Sequence, residues 1–210
     1  MTAVQFTRRL FVMGAVATLP GCSTLNALSE ASSPLPTFDL LPVTGATSGR
    51  RTNASFLVAK PVAPAVLDTD RWLIRPDAVS ITYLPDARWP ENLPTLVQSL
   101  MIRSLSSTGR IGFVGPSGEG PVPDFAILSR IDAFEIAVTQ ATDGSSENNA
   151  RIKMNLTIVR DANQRVIASR SFEGSDQPTD LGPAPIVSAL QRILDPMLLD
   201  MTNWIIQVSR

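Results

Sequence analysis

The stretch from Arg151 to Ile158, Arg-Ile-Lys-Met-Asn-Leu-Thr-Ile, alternates polar and apolar side chains without a break. Successive side chains of a β-strand point to opposite faces of the sheet, so this alternation predicts a strand with one buried face. Polar segments of turn length lie on both sides of it, at residues 143–149 and 161–164. The strand is therefore expected to pair with the strands before and after it, at the centre of an antiparallel three-stranded meander.

The strands before and after it are also predicted, and the preceding one shows an irregular alternation. In the preceding strand the apolar side chains change parity part-way, from Phe125, Ile127 and Ile131 to Phe134, Ile136 and Val138. A bulge or bend near Asp132-Ala133 would bring both halves onto one core, because an extra residue shifts the alternation by one position. The following strand is predicted at Val166–Phe172.

Two amphipathic helices are predicted outside the meander. The first spans Leu93–Leu105, where apolar residues recur at helical spacing, with Asn92 as its N-cap and Gly109 as its C′ residue. The second is the C-terminal segment, whose apolar residues from Ile186 to Ile205 have the same spacing. Pro196 lies inside this segment and is expected to kink the helix or to split it in two.

Shorter apolar segments complete the predicted sheet. They are Phe38–Leu41, Phe56–Ala59, Trp72–Ile74, Val79–Leu84 and Ile111–Val114, of which the third and fourth are expected to form a hairpin. Strands, a helix, a three-stranded meander and a terminal helix together favour an α+β fold. The sequence therefore predicts a mostly antiparallel sheet with two helices packed on one of its faces.

Residues 1–21 have the composition of a lipoprotein signal peptide. A pair of arginines precedes the apolar run Leu10–Leu19, which is about half the length that a membrane-spanning helix needs. Leu19-Pro20-Gly21-Cys22 resembles the bacterial lipobox. The resemblance implies cleavage before Cys22. This residue would then carry a diacylglycerol on its sulfur and an acyl chain such as palmitate on its amino group, which together make a stable lipid anchor.

Three features of the N-terminal region indicate where the chain goes. Thr7–Val12 resembles a twin-arginine export signal, so that route and the general secretory (Sec) route are both open. Residue 23 is Ser rather than the Asp that retains lipoproteins at the inner membrane of enteric bacteria, which favours the periplasmic face of the outer membrane. Residues 22–36 are small, polar and proline-terminated, and they predict a lipidated flexible tether before a single domain at residues 37–210.

Composition limits the chemistry that is available. The chain contains no histidine and a single cysteine, which excludes a histidine-based triad, a histidine-containing metal site and an intrachain disulfide. Its formal net charge is −1 without a basic block, so nucleic acid is not an expected partner. The glycine-rich residues 115–121 lack the Lys-Ser/Thr of a phosphate loop and are expected to form a surface loop. No catalytic residue, metal or cofactor is predicted.

Several short motifs occur in the order found in one lipoprotein family. They are the aromatic-x-Leu segment of Thr37–Leu40, the pair Arg88-Trp89 before the first helix, Phe134-Glu135 and Arg170-x-Phe172. With the long C-terminal helix they resemble the ABC-type transport auxiliary lipoproteins of the PqiC/YmbA type. The resemblance implies a non-catalytic auxiliary component of a transport system. In such systems ATP-binding cassette (ABC) proteins and a mammalian-cell-entry (MCE) domain protein move lipids or other apolar solutes between the inner and outer membranes.

The candidate partner contact is Arg88-Trp89, because arginine and tryptophan are enriched at interaction hot spots. The alternative for Trp89 is a core position beneath the start of the first helix. The partners that the resemblance implies are the MCE-domain protein and the ABC components. A ring-forming homo-oligomer would suit a partner with cyclic symmetry.

Two other functions stay open at this point. A stand-alone periplasmic carrier of lipid or another hydrophobic ligand would need an apolar groove of about 300 Å³ or more between the sheet and the terminal helix. A lipoprotein hydrolase without histidine would depend on Ser-Lys or carboxylate chemistry, and the lysines available to it are Lys60 and Lys153. Asp132 and Glu135, three residues apart on one strand, are expected to face opposite sides and not to act as a pair.

Overall fold

A mixed seven-stranded sheet and two α-helices make up the described part of the computed structural model, residues 34–44, 48–140 and 146–209. The strands are β1 (Thr52–Val58), β2 (Arg71–Arg75), β3 (Thr82–Arg88), β4 (Ile111–Pro116), β5 (Phe125–Gln140), β6 (Ser146–Arg160) and β7 (Arg165–Asp176). The helices are α1 (Leu93–Ser107) and α2 (Pro183–Val208). These elements belong to one compact unit, which begins at Leu35.

The predicted meander is confirmed as β5, β6 and β7. β6 pairs antiparallel with β5 on one side and with β7 on the other. The alternation along β6 divides its side chains as the sequence predicts, with Ile152, Met154, Leu156 and Ile158 all buried and Arg151 exposed. Helix α2 packs against β6 and β7 on the buried side.

The predicted bulge in β5 is also confirmed. The register between β5 and β6 shifts directly after Ile131, so Asp132 is the extra residue. The shift returns Phe134 and Ile136 to the buried side that Ile131 occupies. It also places Asp132 and Glu135 together, where both line one surface groove. The expectation that these carboxylates face opposite sides is therefore wrong, because the bulge changes the alternation between them.

The sheet is mixed rather than mostly antiparallel, which corrects the prediction from sequence. β1 pairs parallel with β4 and with the first half of β5, and β2 pairs parallel with the second half of β5. The pairs β2–β3, β5–β6 and β6–β7 are antiparallel. The parallel pair β1–β4 arises because the chain crosses over through α1 and returns in the same direction, which no local alternation reveals. β5 joins the two parts of the sheet.

The first predicted strand, Phe38–Leu41, does not form. Within residues 34–44, Thr37 alone makes a β-bridge, with Arg88 of β3. The residues after it lie against the helices, and their backbone groups bond to Arg103 of α1 and Gln191 of α2. Four alternating residues do not distinguish a strand from an extended segment held between two helices.

The other short strands are confirmed with shifted bounds. β2 and β3 form the predicted antiparallel hairpin, but β3 begins at Thr82 and continues to Arg88. β1 begins four residues before the predicted Phe56, and β4 extends beyond Val114 to Pro116. Strand ends are the part of a sequence prediction that pairing with neighbours decides.

Both predicted helices are confirmed. α1 begins after Asn92, whose side chain donates to Asp68 instead of capping the helix, and Gly109 follows the helix with a φ of 59°. α2 is not split, because it continues through Pro196, which lies on its exposed side. There water can bond the carbonyl that a proline leaves without an N–H partner. Neither helix of the described residues is long and apolar enough to cross a membrane.

Candidate functional site

The two residues of the motif Arg88-Trp89 lie in different places, Trp89 in the core and Arg88 at the surface. Trp89 is 2% exposed, and its ring centroid lies 4.6 Å from that of Trp72 and 5.9 Å from that of Phe134. Arg88 is exposed, and its Nε donates to the hydroxyl of Thr37. Only the Arg88 side chain is available to a partner, and this role stays a prediction.

Arg88 also ties the first folded residues to the sheet. Its backbone N–H donates to the carbonyl of Pro36 at 3.1 Å, and its carbonyl accepts from the N–H of Phe38 at 3.0 Å. These bonds fix the place where the chain joins the sheet, at the edge strand β3. Cys22, the predicted lipidation site, lies outside the described residues.

β7 is the longest edge strand. Among the described residues it pairs with β6 alone, so its outer edge presents unpaired backbone N–H and C=O groups. The ladder with β6 is continuous from Ala168 to Asp176. The edge strands β3 and β4 are shorter and contain Pro85 and Pro116, whereas β7 contains no proline. Since proline cannot donate to a ladder, β7 is the edge most open to a further strand.

A groove of about 580 Å³ runs between β7 and α2. Residues 170–175 form one wall and the middle of α2 forms the other. Two ion pairs join the walls: Arg170 Nη2 lies 2.6 Å from Asp200 Oδ2, and Arg192 Nε lies 2.6 Å from Asp176 Oδ2. The charged side chains make the groove suited to a polar peptide rather than to an apolar ligand.

The two ion pairs hold the walls of the groove in position but contribute little to the stability of the fold. Their side chains are between 32% and 54% exposed, so each pair contributes about 1 kcal/mol or less. Arg170 binds Asp200 through two nitrogens and lies 4.6 Å above the ring of Phe172. Gly174 has no room for a side chain, because a Cβ there would lie 2.7 Å from Ile193 Cγ2. Strand and helix are therefore in close contact at Gly174.

A second polar cluster lies on β2, β5 and β6. Glu135 is 4% exposed and accepts from Arg75 Nε at 2.6 Å and from Arg151 Nη2 at 3.0 Å. Asp132 accepts from Arg130 Nε at 2.6 Å, and this hydrogen bond holds the pKa of Asp132 below its usual value. Arginines engage both carboxylates, so the cluster is suited to cross-linking three strands and not to acid–base catalysis.

Among the described residues, neither of the two lysines open to Ser-Lys chemistry forms a hydrogen bond with a serine. Lys153 pairs with Glu173 at 2.8 Å, and the hydrogen bond from the lysine lowers the pKa of Glu173. An ammonium held in this pair is not a base for a serine hydroxyl. Lys60 is exposed at the surface. The part of the chain that the structure describes also holds no group of three His, Cys, Asp or Glu side chains able to bind a metal ion.

Comparison with known families decides the classification. The model of the family described as ABC-type transport auxiliary lipoprotein component matches residues 38–201, from the aromatic-x-Leu segment into the terminal helix. The chain belongs to this family. This auxiliary lipoprotein is thus a relative of transport components, in agreement with the resemblance that its short motifs indicate.

Solved structures share the fold of this auxiliary lipoprotein. The crystal structure of protein XCC0632 from Xanthomonas campestris, of the DUF330 family, matches with a TM-score of 0.73 at 22% identity over 84% of this chain and 96% of that one. The crystal structure of an uncharacterized protein matches with a TM-score of 0.62 at 14% identity over 82% of this chain and 99% of that one. Identities this low show the fold alone.

A curated relative is longer than this chain. The uncharacterized protein bll6063 of Bradyrhizobium diazoefficiens is 28% identical over 169 residues, which are 80% of this chain and 44% of that protein. The chain therefore spans less than half the length of that relative.

The β7 edge is not among the sequence predictions, and the groove beside it lies where the carrier alternative needs one, between the sheet and the terminal helix, but is lined by charged side chains. One signal for the edge is present, since the run from Arg165 to Asp176 contains no proline whereas each of the other edge strands contains one. The groove has no local signal, because Arg170 and Asp200 are 30 residues apart and meet only when α2 packs on the sheet.

Proposed function

We propose that this chain is a non-catalytic, lipid-anchored periplasmic protein of an ABC/MCE-type transport system that moves lipids or other apolar solutes between the inner and outer membranes. The observation that carries the proposal is the family match over residues 38–201. In this role the protein binds and positions its partners, while the ABC components hydrolyse ATP and the MCE-domain protein forms the passage.

The anchor is Cys22, at the periplasmic face of the outer membrane. The lipobox-like residues 19–22 and the small, polar residues 23–36 support this assignment. Each buried methylene of an acyl chain contributes about 0.8 kcal/mol, so a residue with several chains stays in the membrane. Residues 23–36, fully extended, would let the folded unit reach at most about 50 Å from the surface.

The partner contact is strand addition at β7. An extended segment of the MCE-domain protein would pair with Ala168–Asp176, where the ladder is continuous and the edge holds no proline. Backbone hydrogen bonds would supply affinity. The paired charges of Arg170, Asp200 and Arg192 in the groove would select the side chains on one face of the added strand. Arg88, on the opposite edge, is the second candidate contact.

The alternative of a stand-alone lipid carrier has less support. The crevice between α1 and α2, lined by Met101 and Leu198 among others, has no room for a water molecule. The groove beside β7 is large enough for a small ligand, but charged side chains line it. Neither is the apolar cavity of about 300 Å³ that a lipid carrier needs.

Co-purification from detergent-solubilised membranes tests the proposed partnership. The tagged full chain is expected to recover an MCE-domain protein and ABC components, and recovery of neither contradicts the proposal. Recovery of further copies of this chain alone would instead indicate a homo-oligomer. Cys22→Ala is expected to release the protein from the outer membrane, and unchanged localisation contradicts the anchor.

Two double substitutions by lysine test docking at the outer edge of β7. Ser171→Lys with Ser175→Lys places two charges along exposed positions of β7 and is expected to reduce recovery of the MCE-domain protein, because lysines on an edge oppose strand pairing. Thr82→Lys with Ser117→Lys adds the same charge at exposed positions near the other edges and serves as the control. Equal recovery with both pairs contradicts docking at β7.

A further inference from the structure

Arg110 is a buried arginine with no acidic partner among the described residues. It is 5% exposed and lies between α1 and β4. None of the ion pairs in the described part of the chain includes it. Arginine is almost never fully buried unless it is paired, because an unpaired charge is costly to remove from water. Arg110 is therefore a candidate for binding an anion.

The groups that hold the Arg110 side chain are neutral. Nε donates to the backbone carbonyl of Arg50 at 2.9 Å, and Nη1 donates to Asn203 Oδ1 at 2.8 Å. Gly49 has a φ of 116°, and a Cβ at this position would lie 3.0 Å from Nη2. These contacts fix the plane of the guanidinium, yet they engage only two of its five N–H groups.

A pocket of about 250 Å³ opens beside the guanidinium, lined by Arg50, Arg110, Asn203, Ile206 and Gln207. The described residues that line it include two arginines and two amides and no acid, so its polar side chains are mainly hydrogen-bond donors. At roughly 30 Å³ per water, the pocket has the volume of about eight waters. A phosphate group with a short substituent fits this space, whereas a whole phospholipid does not.

The helix ends stabilise the Arg110 charge in part. α1 ends at Ser107, three residues before Arg110, and the pocket includes Ile206 and Gln207 from the last turn of α2. A helix C-terminus carries roughly half a negative charge, which favours a nearby cation. This partial charge contributes to the burial of the arginine and opposes an anion, so anion binding depends on the charges of Arg110 and Arg50. An oxyanion would add a full counter-charge and acceptors for the N–H groups that the neutral contacts do not use.

We propose that this pocket binds a phosphate monoester or diester group through Arg110 and Arg50. The planar fork of Arg110 donates from Nη1 and Nη2 to two oxygens of the group. Arg50, which is exposed, supplies the second positive charge from the solvent side. The amides of Asn203 and Gln207 supply further donors. The phosphate group belongs either to a lipid headgroup or to a free phosphate compound.

Isothermal titration calorimetry of the full chain in phosphate-free maltoside micelles tests the site. The probes are inorganic phosphate, glycerol 3-phosphate and water-soluble dihexanoyl phosphatidylglycerol, at constant ionic strength. Saturable binding of at least one probe is expected, and binding of none overturns the proposal. Tightest binding of the phosphatidylglycerol assigns the lipid headgroup as the source, and tightest binding of either other probe assigns a free phosphate compound.

A matched pair of variants distinguishes binding in the pocket from a general effect of net charge. Arg50→Gln is expected to weaken binding about tenfold or more, because it removes a charge-assisted donor. Arg51→Gln is the control, since it removes the same charge from an exposed neighbour that does not line the pocket. Equal weakening by both variants overturns the proposal. Arg110→Lys keeps the positive charge but loses the planar guanidinium fork, so it should also weaken binding. Thermal unfolding of this variant checks that it is folded.

Discussion

Replacement of Trp89 by alanine tests whether this residue belongs to the core. Its 2% exposure and the 4.6 Å and 5.9 Å centroid distances to Trp72 and Phe134 describe a fully packed ring. A buried aromatic side chain removes about 150–250 Å² from water, which at about 25 cal/mol per Å² is about 4–6 kcal/mol. Measured losses for such truncations are about 3–5 kcal/mol. We expect Trp89→Ala to lower the free energy of unfolding by this amount.

Thermal and urea unfolding, followed by circular dichroism, measure the loss. In a domain of 150–250 residues each kcal/mol shifts the Tm by about 2–4 °C, so the midpoint is expected to fall by about 6–20 °C. Trp89→Phe keeps part of the ring contact and should lose less. Arg88→Ala is the surface control, and its effect should stay within about 1 kcal/mol because the side chain is exposed.

One combination of results would refute this reasoning. If Trp89→Ala left the midpoint unchanged while recovery of the MCE-domain protein fell, Trp89 would be a partner contact and the packing described for it would be wrong. A lowered midpoint for Trp89→Ala with an unchanged midpoint for Arg88→Ala supports the division of the motif between core and surface.

Three further predictions concern the groove beside β7, the polar cluster around Glu135, and the dependence of stability on pH. Gly174→Ala should lower the free energy of unfolding by about 1–3 kcal/mol, because the added methyl group overpacks against Ile193 Cγ2. Ile193→Leu lacks this Cγ2 methyl group and should recover part of the loss in a double-mutant cycle of urea midpoints. Strictly additive losses would contradict the clash. Glu135→Ala should cost about 1–3 kcal/mol in the same assay, because two arginine donors lose their acceptor, and an unchanged midpoint would show that the cluster is not a cross-link. Hydrogen bonds from the N–H and hydroxyl of Ser55 hold the pKa of Asp124 below its usual 3.8, so its contribution is complete above that pH and lost as the pH falls through the folded value. Urea midpoints should therefore separate Asp124→Asn from the parent chain at neutral pH and converge in acid, and a separation independent of pH would count against this role.

The meander could be predicted because its signals are local. The alternation from Arg151 to Ile158 indicates the buried face of β6 whatever its neighbours are. The parity change on either side of Asp132 reveals the bulge in the same way. The parallel pairing of β1 with β4 could not be predicted, because it depends on the direction in which the chain returns through α1. The pattern of Phe38–Leu41 wrongly predicts a strand, because an extended segment packed between helices has the same alternation.

The candidate surfaces depend on contacts between distant parts of the chain. Arg110 and Asn203 are 93 residues apart, and nothing next to either residue in the sequence indicates that they meet. A buried arginine also has the same sequence signature as an exposed one. The open edge at β7 can be recognised only when the order of the strands is known, because an edge strand is one that lacks a neighbour on one side.

The chain joins the sheet at β3, and the open edge is β7 on the opposite side. Neighbouring strands lie about 4.8 Å apart, so the four steps from β3 through β2, β5 and β6 to β7 separate these attachment points by about 19 Å. A pull from the membrane against a partner held at β7 would load the sheet across its strands, parallel to the ladder hydrogen bonds. The short ladders on either side of β2 would open under such a load before the long ladders of the meander. In mechanical terms, β2 and β3 would be the compliant link of the protein, and the docking edge would stay intact while they yield.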